Sequence, residues 1–555
     1  MNIKLLIEDQ INDITLASFN KVITDENLTF AEEISFQVEV PKDEKFGDFS
    51  VNIAMKTAKK LGTNPREFAQ KLIASMDFFG TYIDRAEIAG PGFINFFLDE
   101  RWLGDEVCNI LENKDEYGKI VLDEKKKINI EYVSANPTGP LHIGNARGGA
   151  IGDVLANIYD WAGWESSKEF YLNDAGNQII KFGSSLDARI NQIKDEGYPF
   201  PEDGYKGEDV KELARKYADE FGLSILDEDE KMRQDKLVAF SLNLNIDNMK
   251  NDLLKYGIDY DVWFKESELH KSGAVSEIIE KLSQNGATYE KDGATWFKAT
   301  DYDCEKDEVL IRNNSVPTYY AADIAYHYNK LVMRGFDQSV NVWGADHHGH
   351  VHRLKMALKA IGINPDRLKV VLMQLVHLVR GSESVRMSKR AGDIVTLSDL
   401  IDEVSVDAAR FIFNANNAST HMDFDLDLAV KQSNDNPVFY VQYAHARMKS
   451  ILRNVTCKDV PLNLSLLNDK SEVALIKKLS SFSKEILLSA KDYDPSRMTK
   501  YGYELSTMFH SFYNACRVKN DDENLMKARL ALVEACSYVL KNTLNIIGVS
   551  APEQM

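Results

Sequence analysis

The sequence is poor in cysteine, and the few cysteines it has form no C-x-x-C pair. Five are present in 555 residues: Cys108, Cys304, Cys457, Cys516 and Cys536. An odd, scattered set is typical of a reducing compartment and argues against a disulfide framework or a thiolate zinc site. We therefore expect a cytoplasmic protein without structural zinc.

Long apolar runs are also missing. No stretch approaches the ~20 consecutive apolar residues that a membrane-spanning helix requires. In the opening MNIKLLIEDQIND, the acids Glu8 and Asp9 come too early for a secretory signal. With 44% hydrophobic and 27% charged residues, the composition is that of an ordinary globular protein. We expect no membrane partner.

Basic residues are fewer than acidic residues. The chain has 66 Lys and Arg against 86 Asp and Glu, a formal net charge of -20, which at face value argues against a nucleic-acid partner. The balance is uneven, because residues 437–555 carry 16 basic against 12 acidic residues. A slightly basic module on an acidic body is compatible with a polyanion docking at that end. Helical domains of this charge are also common without such a role.

Internal repeats and low-complexity tracts are absent, and 555 residues are too many for one core. Strand and helix patterns alternate in the middle of the chain, which predicts an α/β, Rossmann-like parallel sheet with helices on both faces. An α+β domain precedes this core, and an all-α domain follows it. The predicted divisions are 1–113, 114–400 with a mostly helical insertion at about 190–300, 401–436, and 437–555.

The most informative stretch is residues 135–145, where a predicted strand gives way to a predicted helix. This loop contains two prolines and two glycines and ends in His142, Ile143, Gly144 and Asn145. Unpaired amides at a helix start are a natural seat for phosphate. Gly144 would let a base approach the backbone, and the His142 imidazole could donate to charge growing on phosphate. The simpler interpretation is a helix start with an incidental histidine.

A second segment, residues 386–390, has the letters RMSKR. It follows an apolar run at 370–379. A loop that carries Ser388 and Lys389 can close over a triphosphate and offset the charge of departing pyrophosphate. Alone, such a loop is usually solvated surface. Its order and position relative to His142, each beside a predicted strand, favour a shared site.

The two segments resemble the HIGH and KMSKS signatures of class I aminoacyl-tRNA synthetases. Within that class, essentially the whole chain resembles the arginyl-tRNA synthetases. The family-like segments are 42–48, 90–96, 131–137, 171–178, 343–350, 406–411 and 551–555. Asn145 departs from the second His of the first signature, and its amide can donate a hydrogen bond but cannot titrate. In the second signature, Arg386 replaces the first Lys and Arg390 the final Ser.

The resemblance implies that the chain activates L-arginine with ATP, forming arginyl-adenylate and pyrophosphate. Arginine then passes to the 3′-terminal adenosine of tRNA(Arg). A monomer that uses Mg2+ to bridge the phosphates is implied as well. The implied catalytic residues are His142, Asn145 and Lys389. The implied ATP-binding residues are His142, Gly144, Asn145, Gly344, Asp346, Met387, Ser388 and Lys389.

A guanidinium substrate needs a carboxylate partner, because an unpaired buried cation is very costly. Tyr319 and Asp323 are four residues apart, so on a helix they face the same way. On its own, Asp323 is most simply a solvated helix carboxylate; the resemblance makes it a contact of the arginine side chain. The implied arginine-binding residues are Glu131, Ser134, Asn136, Asn145, Tyr319, Asp323 and His347.

Four histidines, His347, His348, His350 and His352, invite interpretation as a metal site. Their spacing is not a usual zinc pattern, and no nearby cysteine completes a shell. We expect this segment to contact ATP instead, with Asp346 accepting hydrogen bonds from the ribose hydroxyls.

The resemblance also implies roles for the outer domains. Residues 437–555 would bind the anticodon, 401–436 would contact the tRNA stem, and 1–113 would hold the outer corner of the tRNA. Aromatic and arginine side chains recognise single-stranded loops by stacking. Suitable candidates are Tyr440, Tyr443, Arg447, Phe509, Tyr513 and Arg517, although most such aromatics belong to a core.

Three other functions remain open. A synthetase for another amino acid would not need Asp323, and a nucleotidylyltransferase would not need the extra helical domain. A tRNA-binding paralogue without catalysis would have no use for His142 or Lys389.

Overall fold

The structure, a computed structural model, describes residues 2–381, 383–384 and 395–555. Met387, Ser388 and Lys389, predicted to bind ATP, lie outside the described residues, as do Arg386 and Arg390. Over the ranges that are described, no helix is both long and apolar enough to cross a membrane.

The first elements form an α+β unit around a four-stranded antiparallel sheet. Its strand order is β1-β2-β4-β3. The elements are α1 (Ile3–Asp25), β1 (Val38–Glu39), β2 (Phe49–Val51), α2 (Ile53–Thr57), α3 (Pro65–Ser75), β3 (Ile83–Ala89), β4 (Phe93–Leu98) and α4 (Arg101–Asn113). Gly92 turns the chain between β3 and β4 at φ 139°, where a Cβ would press on Pro65 at 3.0 Å.

A five-stranded parallel sheet forms the central part of the chain, in the order β12-β11-β5-β6-β7. The first half of this central part of the chain comprises β5 (Lys127–Glu131), α5 (Ile143–Trp161), β6 (Glu165–Leu172), α6 (Asn177–Lys194), α7 (Glu208–Phe221), α8 (Glu230–Lys255), β7 (Val262–Lys265), α9 (Glu266–Lys271) and α10 (Ala274–Gln284). The second half comprises β8 (Thr288–Lys291), β9 (Ala294–Phe297), β10 (Glu308–Ile311), α11 (Tyr319–Tyr328), β11 (Gln338–Gly344), α12 (His348–Ala360) and β12 (Leu368–Met373).

Apolar side chains cover both faces of this sheet. Along β6, Phe170 and Leu172 belong to one buried cluster, whereas Tyr171 between them packs against a second cluster. Successive side chains of a strand point to opposite faces, so the two clusters lie on opposite sides of the sheet. The predicted parallel sheet with helices on both faces is confirmed.

The region predicted as a mostly helical insertion, at about 190–300, also contains strands. It contains β7, which pairs with β6 from Glu169–Val262 to Leu172–Lys265 and forms the edge of the central sheet. A small antiparallel sheet of β8, β9 and β10 follows. A four-residue strand between helices has too short a pattern to stand out in the sequence.

The chain then builds a small sheet beside the core and a helical domain at the end. The connecting elements are β13 (Val376–Arg380), β14 (Glu383–Ser384), α13 (Leu397–Glu403), α14 (Val406–Phe413), β15 (Met422–Asp425) and α15 (Leu426–Val430). The terminal helices are α16 (Pro437–Asn454), α17 (Lys470–Ser480), α18 (Phe482–Asp492), α19 (Ser496–Ala515) and α20 (Glu523–Ile547). Helical periodicity predicts this all-α end of the chain, and the structure confirms it.

Candidate active site

The carboxyl ends of β5, β6 and β11 meet at one edge of the central sheet. In open α/β sheets, ligands bind in the crevice outside these strand ends. The loop before α5, residues 173–176 after β6 and residues 345–347 after β11 all leave this edge. Most of the predicted site residues that the structure describes are on these loops or at the start of the helices that come after them.

His142 is the N-cap of α5, and Asn145 completes the cap. The Gly144 amide donates to His142 Nδ1 over 3.1 Å, while the His142 amide donates to Asn145 Oδ1 over 2.9 Å. This reciprocal arrangement satisfies two amides at the helix start. Asn145 therefore has a structural role, as part of the cap of α5. Comparison with the class signature, which has His at this position, does not indicate that role.

The cap also fixes the chemical state of the imidazole. Burial lowers the pKa of His142 below its ordinary value. Because Nδ1 accepts from Gly144, the neutral ring carries its hydrogen on Nε2. His142 is thus a neutral side chain with an N–H that can donate to a developing negative charge.

Residues 395–397, which follow the second signature in the sequence, pair with residues 141–143 at the start of the first. Ile143 donates its amide to the Val395 carbonyl over 3.2 Å, and Leu397 donates to the Leu141 carbonyl over 2.8 Å. His142 and Thr396 form an antiparallel bridge between these two bonds. The described chain that begins five residues after the Ser-Lys segment is therefore paired with the His142 loop.

A strained turn follows β5. Val133 and Ser134 have φ values of 68° and 44°, in the left-handed region that a β-branched residue rarely adopts. The turn places the Ser134 hydroxyl where it donates to Glu131 Oε1 over 3.1 Å and accepts from the Tyr171 amide over 3.2 Å. Glu131 Oε2 accepts from the fully buried Lys330 ammonium over 2.6 Å. Glu131 and Ser134, both predicted to bind arginine, are brought together.

Asn136 lies further along the same loop. Its amide donates to Gln178 Oε1 at the start of α6 over 2.6 Å. It is half-buried at the edge of the crevice.

Tyr319 and Asp323 both lie on α11. Tyr319 is 43% exposed, and its hydroxyl lies so close to Gly176 that a Cβ there would come within 2.6 Å. Together with Glu266 and His270 it lines a cavity of about 370 Å³, in which Asp323 has no part. Asp323 lies one turn along the helix, where His350 Nε2 donates to its Oδ2 over 2.8 Å.

Sequence reasoning missed Glu266, the first residue of α9. The Tyr171 hydroxyl donates to Glu266 Oε2 over 2.9 Å, and burial raises the pKa of Glu266, with Asp323 adding to the shift. Burial also raises the pKa of Tyr171, and both Glu266 and Asp323 contribute. Two carboxylates thus flank one tyrosine. Recognising β7 as a strand of the sheet would have indicated Glu266, because that residue follows its carboxyl end.

Gly344 is the last residue of β11, and Asp346 and His347, which follow it, are exposed. A Cβ on Gly344 would lie 2.4 Å from Asp346 Oδ1, a contact that the exposed Asp346 side chain could relieve by moving. The Asp346 carboxylate and the His347 imidazole are 82% and 54% exposed. The His347 ring packs 5.7 Å from Trp343. The structure brings these residues to the crevice edge without joining them to Asp323.

The four histidines of this segment do not converge. His350 bonds to Asp323, whereas His352 Nε2 donates to the Asp303 carbonyl over 2.9 Å. Across the described parts of the chain, no group of three or more His, Cys, Asp or Glu side chains is arranged to hold a metal.

An exposed aromatic surface lies on α16 and α19 of the terminal domain. Tyr443, 38% exposed, stacks between Phe439 and His510, with ring centroids 6.3 Å apart on each side. The Arg447 guanidinium lies 4.3 Å from the centre of the Tyr513 ring. Phe509, a candidate for base stacking, is fully buried and belongs to the core.

Three family models match the chain. They are described as the arginyl tRNA synthetase N terminal domain at residues 1–98, the catalytic domain of tRNA synthetases class I (R) at 106–451, and the DALR anticodon binding domain at 441–555.

Curated relatives match from end to end. The arginine--tRNA ligase of Caldanaerobacter subterraneus is 50% identical over 560 residues, and that of Acetivibrio thermocellus is 49% identical over 562; each alignment covers 100% of both chains. Among solved structures, the arginyl-tRNA synthetase of Thermus thermophilus superposes with a TM-score of 0.76 at 20% identity and covers 100% of both chains. That of Plasmodium falciparum has a TM-score of 0.72 at 17% identity and covers 99% of each. These two structures establish similarity of fold.

Proposed function

The chain belongs to the arginyl-tRNA synthetase family, and we propose that the residues at the carboxyl edge of its parallel sheet carry out the reaction of that family. The chain is an arginine–tRNA ligase with ATP as a substrate. Arginine displaces pyrophosphate from ATP, and the arginyl group then passes from the adenylate to tRNA. Different side chains at that edge have different roles in this reaction.

His142 donates from Nε2 to the α-phosphate of ATP as the arginine carboxylate attacks it. The support is the cap, which keeps the imidazole neutral and leaves Nε2–H as the donor. A fixed donor aimed at charge that grows in the transition state lowers the barrier without reorganisation. Asn145 holds His142 through its backbone, and Gly144 leaves room for the adenine.

Lys389 pairs with the departing pyrophosphate, and Met387 and Ser388 accompany it at the nucleotide. The pairing of 395–397 with 141–143 supports this role, because it ties the chain beyond the second signature to the first. Gly344 and Asp346 lie at the ribose. When bound to ATP, Mg2+ supplies charge neutralisation at the phosphates. Such an ion takes most of its ligands from phosphate and water, which fits a described chain without a three-residue metal cluster.

The arginine side chain enters the crevice between α9 and α11. Asp323, with Tyr319 and Glu266, receives the guanidinium, and two nearby carboxylates suit a group with five donors. At the other end of the substrate, Glu131, Ser134 and Asn136 hold the α-amino group, with His347 at the rim. Glu266 thereby joins the arginine contacts that the sequence predicts.

The outer parts of the chain hold the tRNA. Residues 437–555 bind the anticodon on the aromatic surface around Tyr443, residues 401–436 contact the stem, and residues 1–113 hold the outer corner. The exposed Tyr443 ring, which stacks on the half-buried Phe439 and His510 with Arg447 beside it, supports this assignment. The enzyme acts as a cytoplasmic monomer.

The observation that carries these assignments is the bridge of His142 to Thr396, which pairs the first signature with a residue six positions beyond the second signature. The first test is charging of total tRNA by the purified protein with ATP, Mg2+ and each of the twenty amino acids separately, with pyrophosphate exchange followed with and without tRNA. We expect arginine alone to be charged. Charging of another amino acid would discard the role of Asp323, and tRNA binding without any charging would favour a paralogue that has lost catalysis.

A further inference from the structure

Lys330 is a fully buried cation to which the proposed chemistry gives no task. It lies in a π-helical turn, Asn329–Met333, that continues α11. Its ammonium donates to Glu131 Oε2 over 2.6 Å and, more weakly, to Asn341 Oδ1 over 3.4 Å. A buried ion pair is often no more stabilising than apolar side chains of the same size, so stability alone does not explain this contact. π-Helical turns inside helices are frequent at functional sites.

Asn341, on β11, connects Lys330 to a second residue of the α11 helix. It is fully buried and lies opposite Glu131 in the register of β11 and β5. Its side-chain amide donates to His327 Nε2 over 2.9 Å, and His327 Nδ1 donates to the Asp323 carbonyl over 2.8 Å. One continuous chain of hydrogen bonds therefore runs from Glu131 to Asp323.

The two ends of this chain of hydrogen bonds are the two places at which the substrate is held. Glu131, with Ser134, holds the α-amino group in the proposed function, and Asp323 receives the guanidinium. Apolar contact is non-directional, whereas a hydrogen bond has a preferred distance and angle. The buried hydrogen bonds therefore fix α11 relative to the end of β5, and with it the distance between the two ends of the site.

We propose that Lys330, Asn341 and His327 are positioning residues that set the length of the amino acid that the enzyme accepts. The number of methylenes in the substrate sets the distance from its α-amino group to its guanidinium. A fixed distance between Glu131 and Asp323 consequently selects one chain length. This inference rests on the roles proposed above for those two residues. A binding pocket distinguishes substrates that differ by one methylene by about 10- to 200-fold in kcat/KM.

Asn129 provides a matched control for Asn341. Both asparagines are fully buried in the central sheet, and the register of β5 and β11 places Asn129 opposite Ser339, two residues before Asn341. The Asn129 amide donates to Glu169 Oε2 over 3.0 Å. That bond is not part of the chain of hydrogen bonds that reaches Asp323. Loss of Asn129 thus removes the same kind of buried side chain and leaves the proposed connection intact.

The experiment measures steady-state aminoacylation of tRNA by the full-length enzyme with L-arginine and with L-homoarginine, which is one methylene longer. The measured quantity is the ratio of kcat/KM for arginine to kcat/KM for homoarginine. N341A should lower this ratio by about tenfold, because α11 is then free to move away from β5. N129A should keep the ratio within about twofold of wild type. A loss of folded protein lowers both kcat/KM values by the same factor and leaves the ratio unchanged.

A wild-type ratio in N341A, an equal fall in N129A, or a wild-type enzyme that uses both amino acids equally would overturn the inference. If N341A does not fold, N341S and N129S replace the two alanine variants, because a serine side chain is too short to bond to both Lys330 and His327. D323N tests the proposed function separately. Undiminished use of arginine by D323N would refute the arginine site itself. Loss of arginine use in D323N, with a wild-type ratio in N341A, would refute only the selection of length.

Discussion

Asp323 and His350, 27 residues apart in sequence, are joined by a hydrogen bond of 2.8 Å from His350 Nε2 to Asp323 Oδ2. The His350 ring packs between Trp343 and Tyr320, at centroid distances of 5.7 and 5.8 Å. The bond orients the carboxylate through one oxygen, so the other remains available to a guanidinium. This geometry connects the segment after β11 to the arginine site that we propose on α11.

Replacing Asp323 by asparagine should abolish selective activation of arginine. The substitution keeps the size of the side chain but removes the charge that pairs with the guanidinium. Charge-assisted hydrogen bonds to a buried cation are worth about 3 kcal/mol, so kcat/KM for arginine should fall by about 100-fold or more. Steady-state pyrophosphate exchange at varied arginine measures this.

Asp203→Asn is the control for that substitution. The Asp203 carboxylate is 68% exposed and pairs with Lys181 over 2.7 Å in the insertion. Exposed pairs contribute about 0–1 kcal/mol, so the kinetics should stay within about twofold of wild type. If Asp323→Asn behaved like Asp203→Asn, the proposed arginine site would be wrong.

Replacing His142 by asparagine should separate its capping role from its chemical role. Asparagine is a good N-cap, so the melting temperature should change little. The imidazole Nε2–H is lost, and removal of one donor to developing charge typically lowers kcat by about 100-fold or more. The measurements are kcat for arginyl-adenylate formation and thermal melting, with His142→Ala as the variant that loses both functions. A wild-type kcat for His142→Asn would show that the histidine only caps α5 and does not take part in the chemistry.

The buried His327 should make the protein lose stability in mild acid. Its Nδ1 donates to the Asp323 carbonyl over 2.8 Å, and the Asn341 amide donates to its Nε2 over 2.9 Å, a pattern only the neutral ring can satisfy. Burial and the nearby Lys330 hold the pKa of His327 well below its ordinary value. Below about pH 6.5 the unfolded state therefore binds more protons than the folded state, and stability falls as pH falls.

The pH dependence of the unfolding free energy measures this loss of stability. One such group contributes at most about 1.4 kcal/mol of unfolding free energy per pH unit below about 6.5, and nothing above it. Urea unfolding at pH 7.5 and 5.5 should show a smaller difference for His327→Asn than for wild type. His421→Asn, at an exposed position, should show the wild-type difference. An equal pH dependence in wild type and His327→Asn would contradict the linkage.

Much of the fold could be predicted from the sequence because its signals are local. The strand at 127–131, the proline- and glycine-rich loop and the helix at 143–161 each carry their own pattern. The helical end of the chain is likewise predicted by the helical spacing of its apolar residues. The place of β7 in the central sheet is set by pairing with β6, which a four-residue segment does not encode by itself.

The candidate site was predictable only in part, for a related reason. Tyr319 and Asp323 share a helix face, which spacing predicts. His350 reaches Asp323 from α12, and Glu266 at the start of α9 bonds to Tyr171 of β6; only the assembled fold brings these elements together. Phe509 and Tyr443 show the same limit, because both are aromatic at helical spacing, and packing alone decides that one is buried and the other exposed.

The aromatic surface of the terminal domain supplies the last prediction. Stacking of a base on an aromatic ring is worth about 1–3 kcal/mol, so Tyr443→Ala should raise the KM for tRNA by about tenfold. The KM for arginine should stay unchanged, since the ring is on α16 and far along the chain from the crevice. Phe221→Ala is the control: its ring is 53% exposed and lies 5.7 Å from Phe240 in the insertion. Equal tRNA KM values for Tyr443→Ala and wild type would place the anticodon elsewhere, whereas a rise confined to Tyr443→Ala locates it on the α16–α19 face.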